Sequence, residues 1–473
     1  MSTTEMQDLL TLVGNSFDVE DSKAVIHNVA RLRADIYKLA EVGALESGPL
    51  QGMARYLVRH AALALGIIPA SIQDLYAARG RGEVPNTFTV PAINLRALTF
   101  EAARAVFRAA RALDAGPYIF EIARSEIGYT DQRPAEYVTS VLAGAIAEGY
   151  VGPVFIQGDH FQVSAKRYAS DPEAEVRSVK ELIVEAIAAG FYNIDIDTST
   201  LVDMTKTTTP EQQALNTGLS AMYTAYIRSL EPRGVTISVG GEIGEVGGHN
   251  STEEELCAYF DGYYSELEKI APEAAGISKI SIQTGTSHGG VVLPDGSIAQ
   301  VSVDFDTLLK LSRIARDEYG MGGVVQHGAS TLPEDAFGKF VESEAVEVHL
   351  ATNFQTMLFD RLPDELRAEM YAYLDEKNAA ERKPGMTDEQ FYYKTRKNAV
   401  GPFKKQTWNM SAEKKAEIGQ AWEAQFTKLF TLLGLGGTRK YVDQTIKPVA
   451  VKPSHKYYLG EAAGEEDVSD LAD

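Results

Sequence analysis

The 473-residue sequence holds one cysteine, Cys257, so no disulfide can form within the chain and its stability must come from packing. Positive charge is also short. There are 45 Lys and Arg against 66 Asp and Glu, a formal net charge of -21. That balance argues against a nucleic acid or an anionic membrane as partner. An anionic substrate would have to meet a local positive pocket, which a bound divalent ion or aimed backbone N–H groups can supply. No apolar run is long enough to span a bilayer, and the opening MSTTEMQDLL lacks the basic and apolar regions of a secretory leader. With the lone thiol, these absences point to the cytoplasm. Cys257 lies in the helix-like run EEELCAYF and reads as a packed residue rather than a nucleophile.

What the sequence does have is alternation. Residues 1–84 read as a helical extension, with apolar residues at three- and four-residue spacing that closes the bottom of a barrel or forms an oligomer contact. From about residue 87, eight short β-rich runs alternate with amphipathic stretches: 87–95, 117–123, 152–159, 192–199, 235–243, 277–285, 322–328 and 346–352. Helical crossovers between strands imply parallel pairing. Eight β/α units in one domain (85–372) predict an α/β fold of the (β/α)8 TIM-barrel type. No G-x-G-x-x-G follows the first strand, which weighs against a dinucleotide-binding sheet. A C-terminal helical region (373–460) and an acidic, disorder-prone tail (461–473) complete the chain. The stretch 391–408, with Lys394, Arg396, Lys404, Lys405 and Trp408, could reach a distal phosphate or simply be a solvated surface.

A barrel places its chemistry at the C-terminal ends of its strands. Three histidines sit there, His160, His288 and His327. Three imidazoles with an open position form a catalytic zinc pattern, against which stands the plainer reading of three unrelated loop-mouth histidines. Asp159 beside His160 can pass a proton or orient a substrate hydroxyl; its alternative is a hydrogen bond that holds a ligand histidine. Asp195 and Asp197 alternate with isoleucines and so share a face, in a barrel the lumen, where Asp197 could orient a ligand histidine or contact a second cation or the two could form a structural polar layer. Glu242, Glu245 and His249 lie on a glycine-rich run after the fifth strand that can act as a mobile catalytic loop, while Ser251, Thr252 and the glutamates after them read as a helix cap. Gly289, Gly328 and Ser330 place small residues where backbone N–H groups can approach an anion, or are plain turn residues. His27 and His60 fall in helical stretches and read as packing or surface residues.

The segments GDHF, AGFYNIDIDTSTL, GGEIGEVGG, TGTSHGG, VVQHGASTLP and VEVHLATNF resemble the class II, zinc-dependent fructose- and tagatose-bisphosphate aldolases over roughly residues 87–360. That resemblance implies a barrel enzyme that makes and breaks a C–C bond beside a ketone through a metal-stabilised enediolate. It implies zinc, or another divalent metal, on His160, His288 and His327, and Asp159 at the aldehyde carbonyl. Phosphate contacts fall on Gly289, Gly328, Ser330 and Thr352, and a monovalent cation often accompanies them. The implied substrate is a ketose phosphate or related anionic ketose, and the implied assembly a homo-oligomer. Asp197 and Glu242 match acidic positions near the metal.

Departures mark the rest. The family loop reads close to GGEED; here it is GGHNS, so His249 and Asn250 stand where the family has its glutamates, one of them the usual base. His249 is a candidate replacement, since an imidazole suits proton transfer near neutral pH, and Glu245 or Glu253 could also swing in. His349 stands at a substrate-contacting Asn, Ala123 at a Ser, and Thr331 at a Gly. Two other readings compete: an accessory subunit of a tagatose-bisphosphate-type aldolase, and another metal-dependent barrel enzyme such as a hydrolase or epimerase.

Overall fold

A computed structural model describes residues 3–20, 23–244, 249–285, 293, 302–329 and 332–459. Eleven strands are found among them. β1 (Phe17–Glu20) and β2 (Lys23–Ile26) form an antiparallel hairpin, and β3 (Ile67–Ala70) follows. The barrel is built from β4 (Val90–Asn94), β5 (Ile119–Ala123), β6 (Gly152–Gln162), β7 (Asn193–Asp197), β8 (Ser238–Glu242), β9 (Lys279–Ile282), β10 (Val324–Gln326) and β11 (Glu347–Leu350). Each pairs in parallel with its neighbours, from β4 round through β11 and back to β4, with β6–β7 and β11–β4 pairings completing the ring. This is the closed eight-stranded (β/α)8 barrel that the alternation predicts. The N-terminal extension departs from the helical reading in its three short strands.

The barrel strands are buried along nearly their whole length, as parallel strands covered by helices must be. The helices supply one apolar face each. Thr99–Leu113 buries Phe100, Ala103, Val106, Phe107 and Ala110, the three- and four-residue spacing of a core-facing stripe. Their ends are set by local chemistry. The Asp171 carboxylate accepts from Ala174 N at 3.0 Å to start Pro172–Ala189, a side-chain cap. Thr252 and Glu255 form a reciprocal box at the start of Glu253–Ile270, as expected from that run.

Two additions frame the barrel. β3 pairs with the first half of β6, Ile67 opposite Gly152 through Ala70 opposite Phe155. The following helix, Gln73–Gly80, sends the Tyr76 hydroxyl to Glu347 in the barrel interior. At the other end of the chain, helix Ala412–Leu432 lies on Thr99–Leu113. Arg108 and Glu423 pair there at 2.6 Å, and the Trp422 indole donates to Phe354 O at 3.2 Å.

Candidate metal centre and active site

The site begins with an irregularity in β6. Its pairing with β7 runs regularly to Gly158, then resumes at Phe161, so Asp159 and His160 form a bulge. In a regular strand, successive side chains point to opposite faces. A bulge re-aims them, and here His160 adopts a left-handed φ of 40°. Both Asp159 and His160 thereby reach the barrel interior. Gly158 makes room: a Cβ there would lie 2.4 Å from the Phe161 ring. The GDHF segment is thus one geometric unit.

His160 is held from behind. Its Nδ1 lies 3.1 Å from Asp197 Oδ2 and 3.2 Å from Glu242 Oε2. Nδ1–H donates to one of these carboxylates, leaving Nε2 to face His327 Nδ1 at 3.2 Å. His327 is set in the same way, with its Nε2 at 2.9 Å from Ser281 Oγ. Two imidazole nitrogens carrying lone pairs this close repel unless a proton or a cation lies between them. Ligand nitrogens at about 2.0–2.1 Å from one tetrahedral ion stand about 3.3 Å apart. The pair therefore fits a divalent ion, and His160, Glu242 and His327 place donor atoms within 4.8 Å of one another. Burial opposes a charge on His160, but Asp159, Glu242 and Asp197 outweigh it and hold the imidazole's pKa well above its usual value. The same field would favour a metal cation on the ring.

Asp159 lies with its Oδ1 3.9 Å from His160 Nε2. Its burial is opposed by the charges of His160 and His349, which keep the carboxylate ionised well below the usual range. Asn94 donates to its Oδ2 at 3.3 Å and to Glu126 at 2.7 Å. Glu126 also takes Arg96 Nε at 2.7 Å.

Below these residues is a polar layer, in which Asp195 and His349 are expected from the sequence but Glu121, Gln157, Lys279 and Glu347 are not. Lys279 on β9 lies 2.9 Å from Asp195 Oδ2, 2.8 Å from Gln157 Oε1, and against Glu347. Gln157 donates to Glu121 at 2.9 Å and to Glu347 at 3.0 Å. Burial raises Glu121 to about 8, helped by the charge of Asp159, and raises Asp195 to about 6 against the pull of Lys279. Burial acts on Glu347 too, but Lys279 and His349 outweigh it and bring it down to about 2. His349 on β11 joins this layer to the mouth, with Nε2 2.7 Å from Glu347 and Nδ1 3.2 Å from both Asp159 and Glu121. The sequence did carry a signal for the layer: Glu121, Lys279 and Glu347 are single charges in apolar strands, and a charge there must face the lumen and find a partner.

The other expected residues fall as follows. His249 is half-exposed, its Nδ1 2.8 Å from Asn250 O and its Nε2 3.8 Å from Glu255. Gly328 follows β10 with a φ of 70°, and Thr352 opens helix Thr352–Phe359. Glu245, His288, Gly289, Ser330 and Thr331 lie outside the described residues. In 391–408, Lys404 pairs with Glu136 at 3.0 Å and Arg396 donates to Thr356 at 2.6 Å. Trp408 is buried against Phe100. These three residues tie the C-terminal region to the barrel. No described helix is long and apolar enough to cross a membrane.

Among solved structures, the native fructuronate-tagaturonate epimerase UxaE of Cohnella laeviribosi is similar at 12% identity, with 89% of this chain and 90% of that one covered and a TM-score of 0.55. A probable tagatose 6 phosphate kinase from Sinorhizobium meliloti 1021 is similar at 16% identity, over 75% of this chain and 98% of that one, with a TM-score of 0.52. At such identities the likeness concerns the fold. No curated protein matches the sequence. The family model described as Fructose-bisphosphate aldolase class-II matches residues 84–419, which takes in the whole barrel and its bulged Asp-His pair, and the chain belongs to that family.

Proposed function

We propose that this protein is a metal-dependent aldolase that cleaves and forms a C–C bond in a ketose phosphate or a related anionic ketose. The observation that carries the reading is the pair of nitrogens His160 Nε2 and His327 Nδ1, 3.2 Å apart and beside the ionised Asp159. His160 and His327, with His288 as the third ligand, would hold zinc or another divalent ion. Such an ion, when bound, supplies Lewis acidity for the ketose carbonyl and its developing negative charge.

The chain's own groups do the rest. In cleavage, the Asp159 carboxylate accepts the proton of the hydroxyl on the carbon that becomes the aldehyde. His249 returns a proton to the carbon beside the ketone; in condensation both transfers reverse. Asp197 and Glu242 fix the His160 ring so that Nε2 faces the metal. Gly289, Gly328, Ser330 and Thr352 are the proposed anion contacts, and a homo-oligomer in the cytoplasm the proposed setting. The test is C–C cleavage of a panel of ketose phosphates and ketose acids, with and without metal. Cleavage that needs metal and is lost in His160→Ala supports the reading, and full activity in the stripped protein would overturn it.

A second reading is favoured by one observation. The epimerase's structure extends over 89% of this chain, beyond the barrel alone. An aldolase site that cleaves a bond, lets the aldehyde turn over and re-forms the bond inverts one carbon without releasing fragments. Isolation of a ketose stereoisomer in place of two fragments would select this reading, in which Asp159 takes and returns the hydroxyl proton and His249 has no proton to deliver.

A further inference from the structure

We propose that Arg96, Tyr129 and Lys397, with Arg396 beside them, form an oxyanion subsite at the barrel mouth that takes a carboxylate or phosphate at the end of the substrate's aldehyde half. Which half it meets rests on the aldolase reading above; the anion site itself does not. Separate parts of the chain bring these residues together. Arg96 follows β4, Tyr129 ends the helix Arg124–Tyr129 after β5, and Arg396 and Lys397 lie on the turn Arg396–Ala399 of the C-terminal region. The loops after β4 and β5 stand at the C-terminal ends of the strands, where a barrel binds its ligands. The link to Asp159 is short. Asn94 donates to Asp159 at 3.3 Å and to Glu126 at 2.7 Å, and Glu126 accepts from Arg96 Nε at 2.7 Å.

The argument rests on a surplus of donors. Arg96 gives Nε to Glu126 and Nη1 to Gln355 at 3.0 Å, and among the described residues its Nη2 has no hydrogen-bond partner. Thr356, next along the same helix, accepts from Arg396 Nη2 at 2.6 Å, while Arg396 Nε is buried without a partner. The Tyr129 hydroxyl is likewise buried without a partner, and Lys397 Nζ stands 5.3 Å from the centre of the Tyr129 ring. Every one of these groups can donate. Leaving buried donors unanswered is costly, because they give up hydration for nothing. An oxyanion would answer them together through charge-assisted hydrogen bonds.

The charge is in surplus as well. The carboxylates within reach are already engaged. Glu126 serves Arg96, Asn94 and the Ala123 N–H at 2.8 Å. Glu381 lies 3.2 Å from Lys394 and accepts from Asn378 at 2.7 Å. Burial, followed by the charge of Arg96, brings Lys397 down to about 8, and burial lowers Arg396 too. Both are cations short of a counter-charge. On a chain with a net charge of -21, such a concentration of positive charge beside the reacting groups draws an anionic substrate to the right place. Arg96 and Arg396 are buried, whereas Tyr129 and Lys397 are half-buried, so the site opens to solvent on their side.

The test is calorimetric titration of the full-length, chelator-stripped protein with glycerol 3-phosphate, glycerate and uncharged glycerol, which carry the anion, or lack it, without a reacting carbonyl. Binding of one or both anions and none of glycerol is expected. Lys397→Met should weaken anion binding by about 10–100-fold, the loss of one charged hydrogen bond. Tyr129→Phe should weaken it in the same direction, and Lys397→Arg should keep most of it. Equal thermal midpoints would show that the variants fold. Preference for glycerol 3-phosphate would identify a phosphate at that end and preference for glycerate a carboxylate, and either supports the site. Anion affinity unchanged in both Lys397→Met and Tyr129→Phe, or no anion binding by the wild type, would overturn it. No metal is present and no bond is made or broken, so the result stands apart from the aldolase reading, whose own failure would show as no cleavage by the metal-loaded protein.

Discussion

His160 Nε2 and His327 Nδ1 face each other at 3.2 Å, each ring turned to that position by a hydrogen-bonding partner on its far side, Asp197 or Glu242 for one and Ser281 for the other. A pair of rings is not arranged in this way by packing alone. The carboxylates behind His160 decide which nitrogen faces His327, and the bulge in β6 decides where it points.

Asp197 therefore acts through His160. Asp197→Asn should weaken divalent-metal affinity by about 10–100-fold, read by competition with a chromophoric chelator. Saturating metal should restore most of kcat. A variant with normal affinity and lost kcat would place Asp197 on the substrate instead.

Asp159 and His249 are the proposed proton carriers, and each should cost about 10²–10⁴ in kcat on removal. The two are separable by isotope. His249→Gln should abolish exchange of the ketose α-proton with solvent, whereas Asp159→Asn should slow cleavage more than exchange. Unchanged exchange in His249→Gln would remove it from the mechanism.

Lys279 neutralises Asp195 and Glu347 inside the barrel. Lys279→Met leaves buried carboxylates without a counter-charge and should lower stability by about 3–5 kcal/mol in denaturant unfolding. Adding Glu347→Gln should recover part of that loss.

His60 offers a pH test away from the site. Burial beside Arg59 lowers its pKa from 6.5 to about 4, and its Nε2 has no hydrogen-bond partner. Between those values the unfolded chain binds a proton that the folded chain refuses. Stability should thus fall as pH drops from about 6.5 to about 4, by at most about 1.4 kcal/mol per unit. His60→Asn should flatten that limb in equilibrium unfolding; an unchanged slope would contradict it.

The sequence made the barrel legible because its periodicity is strong: eight apolar runs, each followed by a helix with one apolar face. Strand β5 was read as 117–123 and found at Ile119–Ala123, and β11 as 346–352 and found at Glu347–Leu350. Histidines at strand ends were legible for the same reason. The bulge was not, since alternation puts Asp159 and His160 on opposite faces and only the backbone shows otherwise. Glu121, Lys279 and Glu347 are single charges within apolar strands, where hydropathy alone does not show that they meet, and the structure buries all three. The hairpin at 17–26 and β3 escaped because four-residue strands leave no periodicity to read.

The central claim is that His160 and His327 hold a divalent ion on which C–C bond chemistry depends. Its most direct measurement is cleavage of an anionic ketose by the chelator-stripped protein, before and after adding back zinc. The account predicts negligible cleavage when stripped, recovery with zinc, and no recovery in His160→Ala with the fold intact. Equal cleavage by stripped and reloaded protein would contradict it.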